Sequence, residues 1–376
     1  MEKERFITFA HEYIRLFSLY LNHKEDTSFI VDKEKISFFY SLSKYHSLKA
    51  FLYQALKTSK VEIKQEHLER VEKDYLFNVR KCLAFEEERR DLYSYLNEQG
   101  IDFLPLKGIV IKDYYPDPNA REFADNDILF RDNDKKIKEY FVKRGYTSEA
   151  FRKSNHDVYL KKPFFNFEMH RALFGETDDN EKIIKYFANY MDKTLVKENK
   201  ERYLSKEDFY IYFTAHTYKH FHNSGCGIRT LIDYYLYLKK EQLDFTYINK
   251  ELNKLGLEDF SRKISFLSLK LFDQEELNPE EEEMFLFIAS SGTYGTLENS
   301  VEKGVKEKGK FGYFMNRVFP PYRFYKSAYP WAYKVPILIP IAWCARTIRI
   351  LFKNPKKAAS EIKLIGKQKN EDKDQK

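Results

Sequence analysis

Cysteine is scarce in this sequence. Its three cysteines, Cys82, Cys226 and Cys344, lie far apart and include no Cys-x-x-Cys pair. A disulfide framework or a zinc site built from thiolates needs paired cysteines, so neither is expected, and a reducing compartment is favoured. The chain also lacks a GxSxG motif, and Cys226 lies in a predicted turn. These observations speak against a serine or cysteine nucleophile.

Long apolar runs are absent as well. The longest, Val335 to Ala345, has eleven residues and two prolines, whereas a helix that spans a bilayer needs about 20. The N-terminal residues MEKERFITFAHEY contain acidic side chains and no apolar stretch, so no signal peptide is expected. We therefore expect a cytoplasmic protein, and contact with a membrane surface stays open.

Glycine and proline are few, at 13 and 11 of 376 residues, and 43% of the residues are hydrophobic. A chain of this length and composition can bury a large core and is neither a disordered tail nor a fibre. Its formal charge of +7 comes from 65 basic and 58 acidic residues. Residues 331–376 contain 11 of the basic and 4 of the acidic residues, which leaves 54 of each in residues 1–330. The basic character therefore belongs to the C-terminal tail.

Apolar spacing divides the chain into four parts. We predict a helical region over 1–99, an α/β core over 100–175, a helical domain over 176–292, and an irregular aromatic and Pro-rich segment with a basic amphipathic tail over 293–376. The predicted fold class is α+β, in which a small mixed β-sheet is flanked by N-terminal and C-terminal helical regions.

Individual elements follow from the same patterns. In the first part we predict helices at about 3–21, 33–57 and 67–98. In the core we predict strands at about 101–106, 125–130, 157–160 and 164–170, with helices at about 107–115 and 135–144. A capping-box-like Ser205-x-x-Asp208 begins a helix that reaches about residue 223, and helices follow at about 227–240, 246–255, 258–272, 279–290 and 340–352.

Carboxylates meet on the polar face of the predicted strands. Side chains alternate along a strand, so Asp125 and Asp127 point the same way, about 7 Å apart. The same alternation places Glu168 and His170 on the polar face of the strand over 164–170. Three acids with room for water and phosphate suit Mg²⁺, which prefers oxygen ligands and keeps positions open for substrate.

The core resembles a known family at this point. It is similar to the uncharacterised nucleotidyltransferases of the DNA polymerase β-like superfamily over about residues 100–240. The matching pieces are Leu106-Lys107-Gly108, Arg121 before Asp125-x-Asp127, Gly145-Tyr146, Phe167-Glu168-Met169-His170, His216-x-x-x-His220 and Gly227-Ile-Arg229-Thr-Leu-Ile-Asp233. Asn126 departs from the pattern, because an apolar residue is expected between the two aspartates.

The resemblance implies a nucleotidyltransferase core that binds two Mg²⁺ or Mn²⁺ ions and a nucleoside triphosphate. An acceptor hydroxyl would attack the α-phosphate in line, and pyrophosphate would leave. Asp125, Asp127 and Glu168 would ligate the metals. In the same scheme Gly108 would let the triphosphate approach the backbone. Lys107 and Arg121 could neutralise phosphate oxygens beside these acids, or they could be ordinary surface charges. The acceptor is not implied, since a small hydroxylated molecule, a protein and an RNA end all suit the same acids.

Other residues have more than one interpretation. His170, His216, His220 and Arg229 are candidates for the substrate cleft. His170 could also support a metal ligand, or it could be an ordinary histidine at the end of a strand. His216 and His220, one helical turn apart, could hold a transition metal, but no HExxH acid accompanies them. Arg229 and Asp233 could form a purely structural i,i+4 ion pair.

Two alternatives to an enzyme also stay open. The first is a catalytically inactive nucleotide-binding or scaffold protein that keeps this fold. The second is a peripheral membrane or RNA-binding protein that acts through residues 340–376, where basic and apolar stripes alternate on a predicted helix. We expect the apolar stripe, which includes Ile341, Cys344 and Ile348, to dock on the body of the protein.

Overall fold

Four helices form the N-terminal part of the computed structural model, which describes residues 3–149, 151–175, 180–293, 295–353 and 355–367. They are α1 (Lys3–Leu21), α2 (Lys33–His46), α3 (Lys49–Thr58) and α4 (Gln65–Glu98), and two short parallel strands, β1 (Ile30–Val31) and β2 (Glu62–Ile63), lie between them. The first and last predicted helices are confirmed. The single helix predicted over 33–57 is wrong, because Ser47 adopts a left-handed conformation with φ 54° and ends α2.

A seven-stranded mixed sheet follows. Its strands are β3 (Phe103–Pro105), β4 (Asn126–Phe130), β5 (Thr147–Glu149), β6 (His156–Lys161), β7 (Phe165–His170), β8 (Leu195–Glu198) and β9 (Glu201–Tyr203), in the order β5-β6-β7-β4-β3-β9-β8. The four predicted strands are confirmed, and the mixed sheet confirms the α+β class. The sequence did not reveal β5, β8 and β9, which are three or four residues long and lie at or next to the sheet edges.

Strand register decides which side chains meet. Strand β4 runs parallel to β7, with Asp127 opposite Glu168, and β6 runs antiparallel to β7, with His156 opposite His170. Two short helices, α5 (Gly108–Ile111) and α6 (Asp134–Lys143), follow β3 and β4. The central strands therefore bring residues from three separate parts of the sequence onto one face.

The unexpected Asn126 is accommodated by α4. Arg89 of that helix donates from Nη1 to Asn126 Oδ1 at 2.6 Å, and both side chains are buried. The Asn126 amide donates in turn to the carbonyl oxygen of Asn166 at 3.3 Å. Because the buried amide has partners, a polar residue between the two aspartates does not destabilise the sheet.

A helical layer continues the chain. It contains α7 (Glu181–Phe187), α8 (Lys206–Asn223), α9 (Ile228–Lys240), α10 (Phe245–Leu255), α11 (Glu258–Asp273) and α12 (Pro279–Ser291). The Ser205 side chain caps α8 as predicted, by accepting from the Asp208 backbone N–H. Apolar side chains of α1, such as Phe17, share one core with those of α9 and α11, such as Leu231 and Leu267. The domain boundaries given above stay predictions.

The C-terminal segment is helical rather than irregular in its described residues, and positions 368–376 of the predicted tail lie outside them. It forms α13 (Leu297–Val318), α14 (Tyr322–Ala328), α15 (Pro330–Lys334), α16 (Ile339–Lys353) and α17 (Pro355–Lys367). The prediction of irregular structure after residue 293 is wrong, because the glycines there serve helix packing. Gly309, with φ 68°, kinks α13, and Gly304 leaves room for the Tyr313 ring. Among the described residues, no helix is both long enough and apolar enough to cross a membrane.

Candidate active site

Three acids line one cavity of about 350 Å³. Asp127 and Glu168 are neighbours across the β4–β7 pair, and Asp125 immediately precedes β4. The strands are central in the sheet, so their backbone positions are fixed on both sides. The register thus brings together the three acids that strand alternation had predicted to share a face.

Asp127 has partners for its negative charge. Lys107 Nζ donates to Asp127 Oδ1 at 2.7 Å, and His170 Nε2 lies 2.8 Å from the same oxygen. Burial would raise the pKa of the Asp127 carboxyl, but Lys107 and His170 together hold that pKa well below its usual range. Asp127 is therefore ionised, and its charge is compensated within the protein.

Asp125 and Glu168 are in the opposite situation. Burial raises the pKa of Asp125, and the nearby Asp127 adds to the effect. Burial, Asp127 and Asp125 raise the pKa of Glu168 to about 7. Half-buried carboxylates that repel each other need further positive charge, and a divalent cation with oxygen ligands supplies it. The acids present fit such an ion.

Lys107 adopts a strained backbone conformation. The backbone N–H of Ile109 donates to the carbonyl of Leu106 at 3.2 Å, which closes a turn with Lys107 at its second position. Lys107 has φ 46° and ψ −115° there, values typical of a type II′ turn, in which glycine is preferred. A non-glycine residue at such a position stores strain and is often found at functional sites. The turn directs the Lys107 ammonium to Asp127.

Gly108 and Arg121 lie in close contact. A Cβ atom on Gly108 would lie 2.6 Å from Arg121 Nη1, so only glycine fits beside this guanidinium. Arg121 donates from Nε and Nη2 to the two carboxylate oxygens of Asp233, at 2.9 and 2.7 Å. The interpretation of Arg229 and Asp233 as an ion pair is therefore wrong: Arg229 instead donates from Nη1 to the carbonyl oxygen of Glu122 at 2.6 Å.

Two histidines form another wall of the cavity. His216 and His220 lie on α8 with their Nε2 atoms 3.2 Å apart, and Arg229 lies near the start of α9. All ten residues singled out from the sequence line this one cavity, namely Lys107, Gly108, Arg121, Asp125, Asp127, Glu168, His170, His216, His220 and Arg229. Their individual roles stay predictions.

Sequence reasoning missed His156 and Asn155, which also line the cavity. His156 lies directly opposite His170 in the β6–β7 pair, and its Nε2 is 3.6 Å from Glu168 Oε2. Burial lowers the pKa of His156 to about 4, and His170 and Lys107 contribute. The predicted strand began one residue too late, at Asp157, and alternation groups His156 with Val158 and Leu160, so no signal in the sequence placed it beside Glu168.

A model of the uncharacterised nucleotidyltransferase family matches residues 32–273, more than half of the chain. The chain belongs to this family. The suspected resemblance is confirmed, and the match extends beyond the α/β core to helices on both sides of it. Membership in this nucleotidyltransferase family supports a transferase that acts on a nucleotide. No curated protein and no solved structure matches the chain significantly.

Proposed function

We propose that the protein transfers a nucleoside monophosphate from a nucleoside triphosphate to an acceptor hydroxyl, with release of pyrophosphate and dependence on Mg²⁺ or Mn²⁺. The convergence of Asp125, Asp127 and Glu168 on one cavity carries the proposal. Two of these acids have raised pKa values because their charges are buried together. Such electrostatic repulsion is unfavourable for folding, and a protein that only binds a nucleotide gains nothing from it.

Each side chain has a task that follows from its position. Asp125, Asp127 and Glu168 would hold the cations, which neutralise charge on the transferred phosphate when bound. Lys107 has three N–H donors, and Asp127 takes one of them, so the others can reach phosphate oxygens. Two hydrogen bonds to the Asp233 carboxylate hold the Arg121 guanidinium in place. Its contribution to phosphate binding is therefore to fix the turn at Gly108.

The proton of the acceptor hydroxyl needs a base. Asp127 already accepts hydrogen bonds from Lys107 and His170, which make it a weak base. Glu168 lies opposite Asp127 in the β4–β7 pair and lines the same cavity, so it can reach an acceptor hydroxyl bound there. We therefore assign the proton to Glu168. The base of the nucleotide and the identity of the acceptor, whether a small hydroxylated molecule, a protein or an RNA, are not defined by these groups.

The test is release of pyrophosphate. The protein is incubated with Mg²⁺ or Mn²⁺, each of the four labelled nucleoside triphosphates, and sugar, protein or RNA acceptors. Transfer is expected with wild type and lost in Asp127→Asn, whereas Asp113→Asn, which changes an exposed acid on the turn after α5, serves as the matched control. Nucleotide binding without metal dependence, unchanged in Asp125→Ala, would instead establish a nucleotide-binding scaffold.

Helix α16 supports a second proposal, contact with an anionic membrane surface. Its predicted apolar stripe faces solvent at Ile341, Cys344 and Ile348, with Ile341 57% and Ile348 56% exposed, and Leu351 lies outside the described side chains. Phe352, farther along the same helix, is 83% exposed. The expectation that this stripe docks on the body is wrong, because α16 buries Ala342 instead. Exposed Lys334 and Arg349 lie nearby in the chain. An apolar stripe with basic neighbours suits a lipid headgroup region better than RNA.

Liposome flotation tests this contact. We expect binding to vesicles of phosphatidylserine and phosphatidylcholine, weaker binding to phosphatidylcholine alone, and loss in the Ile341→Glu/Ile348→Glu variant. Phe266→Glu, at an exposed position on α11, is the matched control. Binding to RNA but not to vesicles would contradict the proposal and favour the RNA alternative. A cytoplasmic location stays a prediction.

A further inference from the structure

Two imidazoles flank one of the acids. His156 and His170 are cross-strand neighbours, and Glu168 lies two residues before His170 on the same face of β7. Glu168 Oε2 is 3.6 Å from His156 Nε2 and 3.7 Å from His170 Nε2. The imidazole rings are 4.9 Å apart, centre to centre. The three side chains thus enclose one small volume at the side of the cavity.

These separations suit a metal ion. Ligand atoms about 2.1 Å from a tetrahedral metal lie about 3.4 Å from one another. One ligand atom from each of the three residues lies within 4.8 Å of the other two, and the two measured distances exceed the ideal by only a few tenths of an ångström. Small changes of side-chain torsion angles would close the site around an ion.

Hydrogen bonds at the two imidazoles determine which nitrogen atoms are available to a metal ion. Asn155 Oδ1 lies 3.3 Å from His156 Nδ1 and, by accepting its proton, leaves a lone pair on Nε2. His170 Nε2, the nitrogen that lies 3.7 Å from Glu168 Oε2, also lies 2.8 Å from Asp127 Oδ1, so an ion at this nitrogen would replace the proton of that hydrogen bond. The other ring nitrogen of His170, Nδ1, is buried and has no hydrogen-bond partner among the described residues.

The geometry points to a site for a first-row transition-metal dication, formed by His156, Glu168 and His170. Imidazole nitrogen binds Mn²⁺, Co²⁺ and Zn²⁺, whereas Mg²⁺ prefers oxygen alone. This inference deepens the proposed function and rests on it in one respect, that Glu168 belongs to both metal sites. It divides the cavity into an oxygen-lined position at Asp125 and Asp127 and a mixed nitrogen and oxygen position at Glu168.

Co²⁺ is the probe. The full chain, freed of metal with EDTA and dialysed, is titrated with Co²⁺ and followed by visible absorption and calorimetry. We expect a Co²⁺ site whose affinity is at least about tenfold weaker in His156→Ala and in the nearly isosteric Glu168→Gln. His216→Ala removes an imidazole from another wall of the same cavity and should leave Co²⁺ affinity unchanged. Circular dichroism verifies that each variant is folded.

Three results would overturn the inference. They are no Co²⁺ binding, binding unaffected by both His156→Ala and Glu168→Gln, or binding lost in His216→Ala, which would place the metal at the α8 histidines. Pyrophosphate release with Mg²⁺ separates this inference from the proposed function. Transfer without a Co²⁺ site would refute the inference alone, and a Co²⁺ site without transfer from any nucleotide would refute the proposed function alone.

Discussion

Arg121 and Asp233 form a bidentate ion pair in the interior of the protein. The guanidinium Nε and Nη2 atoms donate to separate carboxylate oxygens at 2.9 and 2.7 Å, and the two residues are only 5% and 3% exposed. Tyr115 adds a third hydrogen bond to Asp233 at 2.7 Å. The pair joins the loop before β4 to helix α9 and thereby fixes the sheet against the helical layer.

Breaking this pair should strongly destabilise the fold. Asp233→Leu leaves the Arg121 charge buried without a counter-charge, which costs about 3–5 kcal/mol, and Arg121→Met has a similar effect. The double variant should recover much of the loss, because it leaves neither charge unpaired. Urea unfolding of the four proteins measures the coupling. Arg262→Met, in an exposed pair with Asp259, should change stability little, and additive effects of the two core substitutions would contradict the interpretation.

Divalent cations should stabilise the wild-type protein, because Asp125 and Glu168 are half-buried and lie close enough to each other and to Asp127 for their charges to repel. Asp125→Asn removes one of the repelling charges, so it should raise the melting temperature in EDTA. It should also abolish most of the increase that Mg²⁺ or Mn²⁺ gives to wild type. Thermal unfolding with and without metal measures both effects. A metal-induced increase that is equal in the two proteins would place the ions elsewhere.

The sequence predicted the central strands and the contents of the cavity because their determinants are local. Alternation along β4 and β7 suffices to place Asp125, Asp127 and Glu168 on one face, and the family resemblance supplies the residues on α8 and α9. The short strands β8 and β9, at one side of the sheet, could not be predicted, since exposed side chains such as Leu195 give no alternation of burial.

Ion pairs between residues far apart in the sequence could not be predicted either. The i,i+4 spacing of Arg229 and Asp233 favours an ion pair, yet Arg121, 112 residues away, takes the carboxylate. Tertiary packing decides which arginine binds Asp233. Arg121 is buried beside this carboxylate, whereas Arg229 donates to the carbonyl oxygen of Glu122. Helical spacing alone contains no information on such a contact.

Stability should depend on pH through His46. Its Nε2 lies 3.0 Å from the carbonyl oxygen of Ala289, and its Nδ1 accepts from the backbone N–H of Ile228 at 3.1 Å, so the neutral ring satisfies both partners. Burial lowers the pKa of His46 to about 4, from an ordinary value of 6.5, and Arg229 contributes. Protonation of Nδ1 would make it a donor that faces the backbone N–H of Ile228, at the start of α9, so this hydrogen bond would be lost.

The direction of this pH dependence follows from the linkage between proton binding and folding. Between pH 6.5 and about 4 the unfolded chain binds a proton that the folded chain does not, so stability is full above pH 6.5 and falls as the pH decreases. The loss reaches about 3 kcal/mol. Urea unfolding at pH 7, 5.5 and 4.5 should show a weaker pH dependence in His46→Gln than in wild type. His23→Asn, at an exposed position, should keep the wild-type dependence, and an equal dependence in His46→Gln would contradict the assignment.

Lys107→Gly should affect metal binding and catalysis in opposite directions. The Lys107 ammonium is bonded to Asp127 Oδ1, an atom that a metal ion would also use, so its removal should tighten Mn²⁺ binding in the absence of nucleotide. The same change removes a donor for phosphate oxygens and should slow pyrophosphate release. Mn²⁺ calorimetry and the pyrophosphate assay measure the two effects. Lys219→Met, which removes another ammonium from the cavity lining, is the matched control for charge alone.

Lys107→Met separates the charge from the backbone strain. Both variants lose the ammonium, but methionine keeps a Cβ atom at φ 46°, whereas glycine adopts this conformation without cost. The glycine variant should therefore be more stable than the methionine variant by about 1–3 kcal/mol in urea unfolding. If the two variants are equally stable, the turn is not strained. If both bind Mn²⁺ more weakly than wild type, Lys107 does not compete with the metal for Asp127, and its main task lies in holding that carboxylate in place.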